Sequence, residues 1–280
     1  MSVYIRQNAV PITYKAGDSW TILSQIEQGI KNKIEAAGTP LSDWDVQINR
    51  GILTGLNEAF IISSDVRNKL ISEDPKSAEI IRPILRGRDI FRDEIHFENI
   101  FLINTHNGYT DSEGNIVPRI DIDDYPAIKN WLDNGSWNSS PSKGNNYERL
   151  KKRTDQGDTP YNLRSLAYMD DFFKPKVFYR EISEQMNSVY TEENIFINNK
   201  AYIITGKDVT PSLASFLNSQ LFTKIILSGA NSTGGKGPKF LLNARVPNII
   251  RDSNSVTEQE IVEYYNFAAR ELQYLNDLFQ

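Results

Sequence analysis

Between residues 135 and 160 the chain almost runs out of aliphatic side chains. The stretch is rich in Ser, Asn, Gly, Lys and Asp and contains Pro141 and Pro160. A segment so composed buries little apolar surface, so an exposed loop or linker is expected there. On either side, strand-like and helix-like runs follow one another too irregularly for a doubly wound sheet or a barrel. The expected fold is therefore mixed α/β (α+β), with irregular mixed sheets, β-hairpins and packed helices. Its expected parts are an N-terminal lobe over residues 1–134, the linker over 135–160, a C-terminal lobe over 161–256 and a long C-terminal helix over 257–280.

Local patterns fill in these parts. A strand is expected at 3–7. A helix follows, capped by Asp18 or Ser19, with Ile22, Leu23, Ile26, Ile30, Ile34 and Ala37 on one face and Gly38 at its end. Short strands at 46–49, 52–54 and 59–62 suggest a hairpin through Gly55, Leu56 and Asn57. Helices are expected from Ser64 or Asp65, and from Pro75 through Ile81 until Pro83 stops the second one. A turn at 86–88, a strand at 99–104 and a helix at 125–132 come next. In the second half, strands are expected at 177–182, 195–197 and 201–205, the last two forming a hairpin through Asn198, Asn199 and Lys200. Pro211 opens a helix carrying Leu213, Phe216, Leu217, Leu221 and Ile225, and Gly229 ends it. Thr257 and Glu260 form a capping box ahead of a stripe of Ile261, Tyr265, Ala268, Leu272 and Leu275.

Charge is partitioned along the chain. The net charge is −5 over 280 residues, an unpromising total for a partner rich in phosphate. Yet Arg82, Arg86, Arg88 and Arg92 face only Asp89 in their stretch, and Lys143, Arg149, Lys151, Lys152 and Arg153 face only Glu148. Residues 206–251 are also basic in balance, whereas 93–133 and 252–280 are acidic. Such a chain can present one basic and one acidic face. Cysteine is absent, which excludes disulfides and thiolate chemistry and suits a reducing compartment. No apolar run approaches the length of a membrane span, and residues 1–10 lack the apolar core of a signal peptide, so a cytoplasmic location is expected.

Six segments carry a family likeness: 51–62 (GILTGLNEAFII), 80–90 (IIRPILRGRDI), 161–165 (YNLRS), 174–183 (KPKVFYREIS), 194–206 (NIFINNKAYIITG) and 213–222 (LASFLNSQLF). In this order, over roughly residues 45–250, they resemble the TaqI-like C-terminal specificity domain, the target-recognition domain of type IIG restriction-modification enzymes and DNA adenine methyltransferases. The resemblance implies recognition of double-stranded DNA for a methyltransferase or endonuclease domain or subunit, with adenine as the modified base. It also places S-adenosylmethionine in that catalytic unit, which is expected either as a separate subunit or as the remainder of a longer polypeptide.

Catalytic motifs are missing from the sequence itself. An amino-methyltransferase of that kind carries Asn/Asp-Pro-Pro-Tyr, whereas Asp123, Asp124, Tyr125 and Pro126 have the residues in the wrong order. The run 228–239 (SGANSTGGKGPK) lacks the first glycine and the hydroxyl of a phosphate-binding P-loop. His96 and His106 are the only histidines and have no cysteine to help hold zinc. Asp74, Pro75 and Lys76 match the acid-x-lysine form of magnesium nucleases without an upstream acidic partner. No catalytic residue and no metal site is assigned.

Candidate DNA-binding residues remain. Arg86 and Arg88 flank a glycine, and an arginine fork fits a phosphate or the paired acceptors of guanine. The competing reading is a turn in which Asp89 pairs with one of them. Lys174, Lys176 and Arg180 alternate along one expected strand as a basic sheet face. Lys236 and Lys239 lie in a glycine-rich loop able to meet a phosphate, and Asn57 in its turn can read an adenine edge. The alternative function is a non-catalytic assembly subunit that pairs with a partner through the C-terminal stripe.

Overall fold

A computed structural model describes residues 24–183, 185–227 and 237–279. The strand expected at 3–7, the caps Asp18 and Ser19, Gly229 and Lys236 lie outside the described residues.

Two four-stranded sheets organise the molecule. The first has the order Ser188–Thr191, Lys176–Arg180, Ala201–Thr205, Gln47–Arg50, antiparallel throughout. The second has the order Phe196–Ile197, Ile81–Leu85, Ile100–Ile103, Ile61–Ser63, with its first pair parallel. The central strands of the first sheet read as almost continuous apolar runs because both faces are covered. Side chains alternate across a strand, so Phe178, Ala201 and Ile203 enter one hydrophobic core while Val177, Tyr179, Tyr202 and Ile204 enter another. The sheet is thus a shared wall. The first core also takes Phe60, Leu102, Ile128 and Phe172; the second takes Ile30, Ile34, Phe216, Ile261 and Leu275. Buried side chains therefore group across the division into 1–134 and 161–256: the helix Gln25–Ala37 packs with the C-terminal elements.

Several sequence expectations are corrected. Residues 135–160 are not a bare loop, since they contain the helix Asn146–Lys152, opened by a capping box between Asn145 and Glu148. Leu150 and Trp137 are buried in the first core. Arg153, also buried, donates to the carbonyls of Thr54 and Asp155, both at 2.7 Å, and sits 4.5 Å from the Phe60 ring centre. One aliphatic, one indole and one guanidinium whose two terminal nitrogens donate to main-chain carbonyls are enough to dock a polar segment. In place of a hairpin over 52–62 there is the short helix Asn57–Phe60, because the Thr54 hydroxyl accepts the Leu56 N–H and begins the turn. Residues 81–85 are a strand, not the end of a helix. Pro83 stands at the last pair of one ladder, opposite Phe101, where its missing N–H is tolerated. The expected hairpin at 195–205 also fails: Phe196–Ile197 pairs with Ile81–Leu85, and after the turn Ala201–Thr205 joins the other sheet.

The C-terminal helix is two helices, Glu258–Tyr264 and Ala269–Phe279. Between them Asn266 adopts φ 47°, Phe267 turns into the core, and the Ala268 N–H donates to Glu271 at 2.6 Å to restart the helix. Ile261, Tyr265 and Leu275 are buried in the second core, so most of the stripe considered for a partner is used within the chain. Lys33 pairs with Glu271 at 2.6 Å, tying this end to the helix Gln25–Ala37. Among the described residues no helix is long and apolar enough to cross a membrane.

Candidate nucleic-acid interface

Where the two sheets meet, three turns converge on a shallow concavity of about 400 Å³. The first follows the strand Ile81–Leu85 and is the single 3-10 turn Gly87–Asp89. The second, Asn198 to Lys200, carries the chain from one sheet to the other. The third begins where the strand Lys176–Arg180 ends, at Glu181 and Ile182.

Asn198 joins the first two. Its backbone N–H donates to the Leu85 carbonyl at 2.8 Å. Its Oδ1 accepts the backbone N–H of Gly87 at 3.2 Å and that of Lys200 at 3.1 Å. Gly87 is required by this approach, because a Cβ there would lie 2.4 Å from the Lys200 carbonyl oxygen. Arg180 fastens the third turn to the first: Nε donates to the Gly87 carbonyl at 2.8 Å and Nη2 to that of Arg88 at 2.7 Å. Its guanidinium lies 5.4 Å from the Phe91 ring centre.

The candidate residues now separate by role. Arg86, Arg88 and Arg180 are brought together, but Arg86 is committed to Asp89. Its Nε and Nη2 reach the two carboxylate oxygens at 3.1 Å each, and Glu98 adds an ion pair at 3.1 Å. The hydrogen bond to Asp89 raises the Arg86 pKa above its ordinary value. Arg88 is different. Its side chain is 69% exposed and its nearest carboxylate, Asp89, is 3.9 Å away. Lys200, which the sequence reading did not single out, is exposed and has no ion-pair partner among the described residues. Among the described residues, Arg88 and Lys200 are the two exposed cations of the concavity. Glu181, the acid beside them, is neutralised by Arg50 and accepts from the Tyr202 hydroxyl at 3.3 Å.

The rest of the expected basic face does not assemble. Lys174 pairs with Asp171 at 2.9 Å and Asp170 at 3.1 Å, beside a second depression that Asp111 also lines. Lys176 is fully buried, and its ammonium donates to the Lys174 carbonyl at 2.6 Å. Burial pulls its pKa down to about 8, partly opposed by Glu193 and Glu192. The strand face that was to carry it packs on the first core beside Phe178. Asn57 sits at the first turn of a helix, where its Oδ1 accepts from the Thr54 hydroxyl at 2.7 Å. Lys239 is exposed on the helix Pro238–Asn243, away from the lining of the concavity.

Elsewhere, His106 is buried, and its pKa is lowered to about 4 by burial and then by Arg82. It is a neutral core imidazole that accepts the Gly108 N–H at 3.3 Å. Among the described residues no group of three or more His, Asp or Glu is placed to hold a metal ion.

Residues 82–249 match the TaqI-like C-terminal specificity domain, a span that includes all three turns. The chain belongs to this family. Among solved structures, the type IIG restriction endonuclease BpuSI is similar with a TM-score of 0.51 and 17% identity, covering 91% of this chain and 32% of that one. The type IIL restriction-modification enzyme MmeI, solved in complex with DNA, is similar with a TM-score of 0.48 and 12% identity, covering 86% and 36%. The chain thus spans about a third of the length of each enzyme. No curated protein matches it. The specificity-domain match begins at Arg82 and ends at Ile249, so the packed pair formed by Gln25–Ala37 and Ala269–Phe279 lies outside it.

Proposed function

We propose that this chain recognises a DNA sequence for a restriction-modification enzyme, with the concavity between the three turns facing the duplex. One observation carries the reading: Arg88 and Lys200, far apart in sequence, are the two exposed cations that the described residues place on a rigidly cross-bonded concave surface, within a chain of the specificity-domain family. Phosphate contacts of this kind set the register of a protein on a duplex, and neighbouring side chains then meet base edges.

Modification of adenine, use of S-adenosylmethionine and any strand cleavage are assigned to a separate catalytic unit, fused or associated. This chain has no Asn/Asp-Pro-Pro-Tyr motif to orient a flipped base, so no step through that cofactor is assigned to its residues. A mobility-shift titration of the chain with duplex DNA at low salt tests the reading. Binding that Arg88→Ala and Lys200→Ala weaken supports it; no affinity for any duplex refutes it.

A further inference from the structure

The concavity holds one side chain that neither the fold nor phosphate binding explains. Ile182 is 78% exposed and lies on the lining with Arg88 and Lys200. A lone exposed isoleucine is ordinary on a protein surface, so its exposure alone carries nothing; its mounting and its neighbours do.

The chain is pinned just before Ile182. The Arg180 N–H donates to the Asn187 carbonyl at 3.0 Å and the Glu181 N–H to the Lys200 carbonyl at 3.1 Å. The Arg180 side chain is bonded to the first turn, and that of Glu181 is held by Arg50. A β-branched side chain is stiff about its first torsion, and Ile182 follows directly on these two anchored residues. Its surroundings suit a polyanion, since Arg88 and Lys200 are available and the adjacent carboxylate is neutralised. Ile116, 84% exposed, makes the contrast: it follows the acidic turn at 111–115, where Asp111 and Glu113 would repel phosphate.

We propose that Ile182 contacts a base: with Arg88 and Lys200 on phosphates, its side chain packs against the 5-methyl group of a thymine in the major groove. Thymine is the base that offers an apolar group there, and the other base edges offer hydrogen-bonding groups that isoleucine cannot use. The inference rests on the DNA-recognition reading above.

Selection from randomised duplexes with the full chain and with Ile182→Ser tests it, followed by replacement of the selected thymine with uracil. The parent is expected to select a T·A pair that I182S no longer selects. Uracil at that position should weaken the parent about fourfold, the value of one buried methyl group, and leave I182S unchanged. The exposed site makes the variant's fold insensitive to the change, which circular dichroism checks. Identical preferences for parent and variant, an equal uracil effect on both, or a parent that binds without sequence preference would overturn the contact while leaving DNA binding in place. A parent that binds no duplex at low salt removes the DNA reading and the contact together.

Discussion

Arg86 and Asp89 form a two-pronged ion pair across one turn, and the Asp89 side chain beneath it is 2% exposed. The same carboxylate accepts the Arg86 backbone N–H at 2.7 Å. The pair is a structural staple that fixes where Arg88 and Gly87 stand. The two arginines of this turn, Arg86 and Arg88, therefore answer differently to substitution.

Arg86→Ala leaves a buried carboxylate short of its main partner. It is expected to destabilise the chain by roughly 1–3 kcal/mol, seen as a lower urea midpoint with an unchanged slope. Arg88→Ala removes an exposed side chain and should stay within about 0.5 kcal/mol of the parent. Equal effects of the two substitutions would contradict the assignment of Asp89 to Arg86.

Lys176 gives a pH signature. Its folded pKa of about 8 lies below the ordinary 10.5, so between these values the unfolded chain binds more protons than the folded one and stability rises with pH. Below about pH 8 both states are charged and the full cost of burying the ammonium is present. Lys176→Met removes that cost and should stabilise the protein at pH 7 by an amount on the order of 2 kcal/mol. The gain should shrink as pH is raised from about 8 towards 10.5. Urea titrations of parent and variant across that window check the sign; a gain that grows with pH would refute it.

Lys176 also shows where sequence reasoning stops. Alternation along 174–180 was visible, but a basic residue on one face of a strand says nothing about whether that face meets water or Phe178. Elements with strong local signals were legible: the Thr257 capping box, the strand at 100–103, and the start of the helix at Pro211, which ends at Asn218 and does not run unbroken through Ile225. Pro83 was misleading because a proline ends a helix far more often than it sits in a sheet. The turn at 86–88 was legible as a turn, and pairing with Asp89 was the competing reading for its arginines. Lys200 was not legible as a site residue, because Asn198, Asn199 and Lys200 read as a hairpin tip when they in fact pass between sheets. The signal that could have found it was its position between two strongly apolar runs, which put a lone lysine at the end of a buried strand.

The C-terminal elements give a third test. Leu275 is buried, Glu271 pairs with Lys33, and the Tyr274 hydroxyl donates to Glu27 at 2.8 Å. Removing residues 269–280 should expose Ile30 and Ile34 on the facing helix and abolish a single cooperative unfolding transition, or lower its midpoint steeply. A truncated chain that unfolds like the parent would instead mark this helix as free for an outside partner.

The salt dependence of binding distinguishes Arg88 and Lys200 as phosphate contacts from Arg88 and Lys200 as base readers. Each phosphate neutralised contributes about 0.9 to the slope of log affinity against log salt. The double variant Arg88→Ala with Lys200→Ala should therefore bind with a slope shallower by roughly two, and the loss should be uniform over duplex sequences. Each single variant should account for about half of the change, and the thermal midpoint should stay close to the parent's because both side chains are exposed. Lys69, 74% exposed on the helix Ser64–Glu73 and outside the concavity, serves as the control and should leave the slope unchanged. Measured by fluorescence anisotropy between low and moderate salt, an unaltered slope in the double variant would remove both cations from the interface. A steep loss confined to one base pair would make one of them a reader of a base edge.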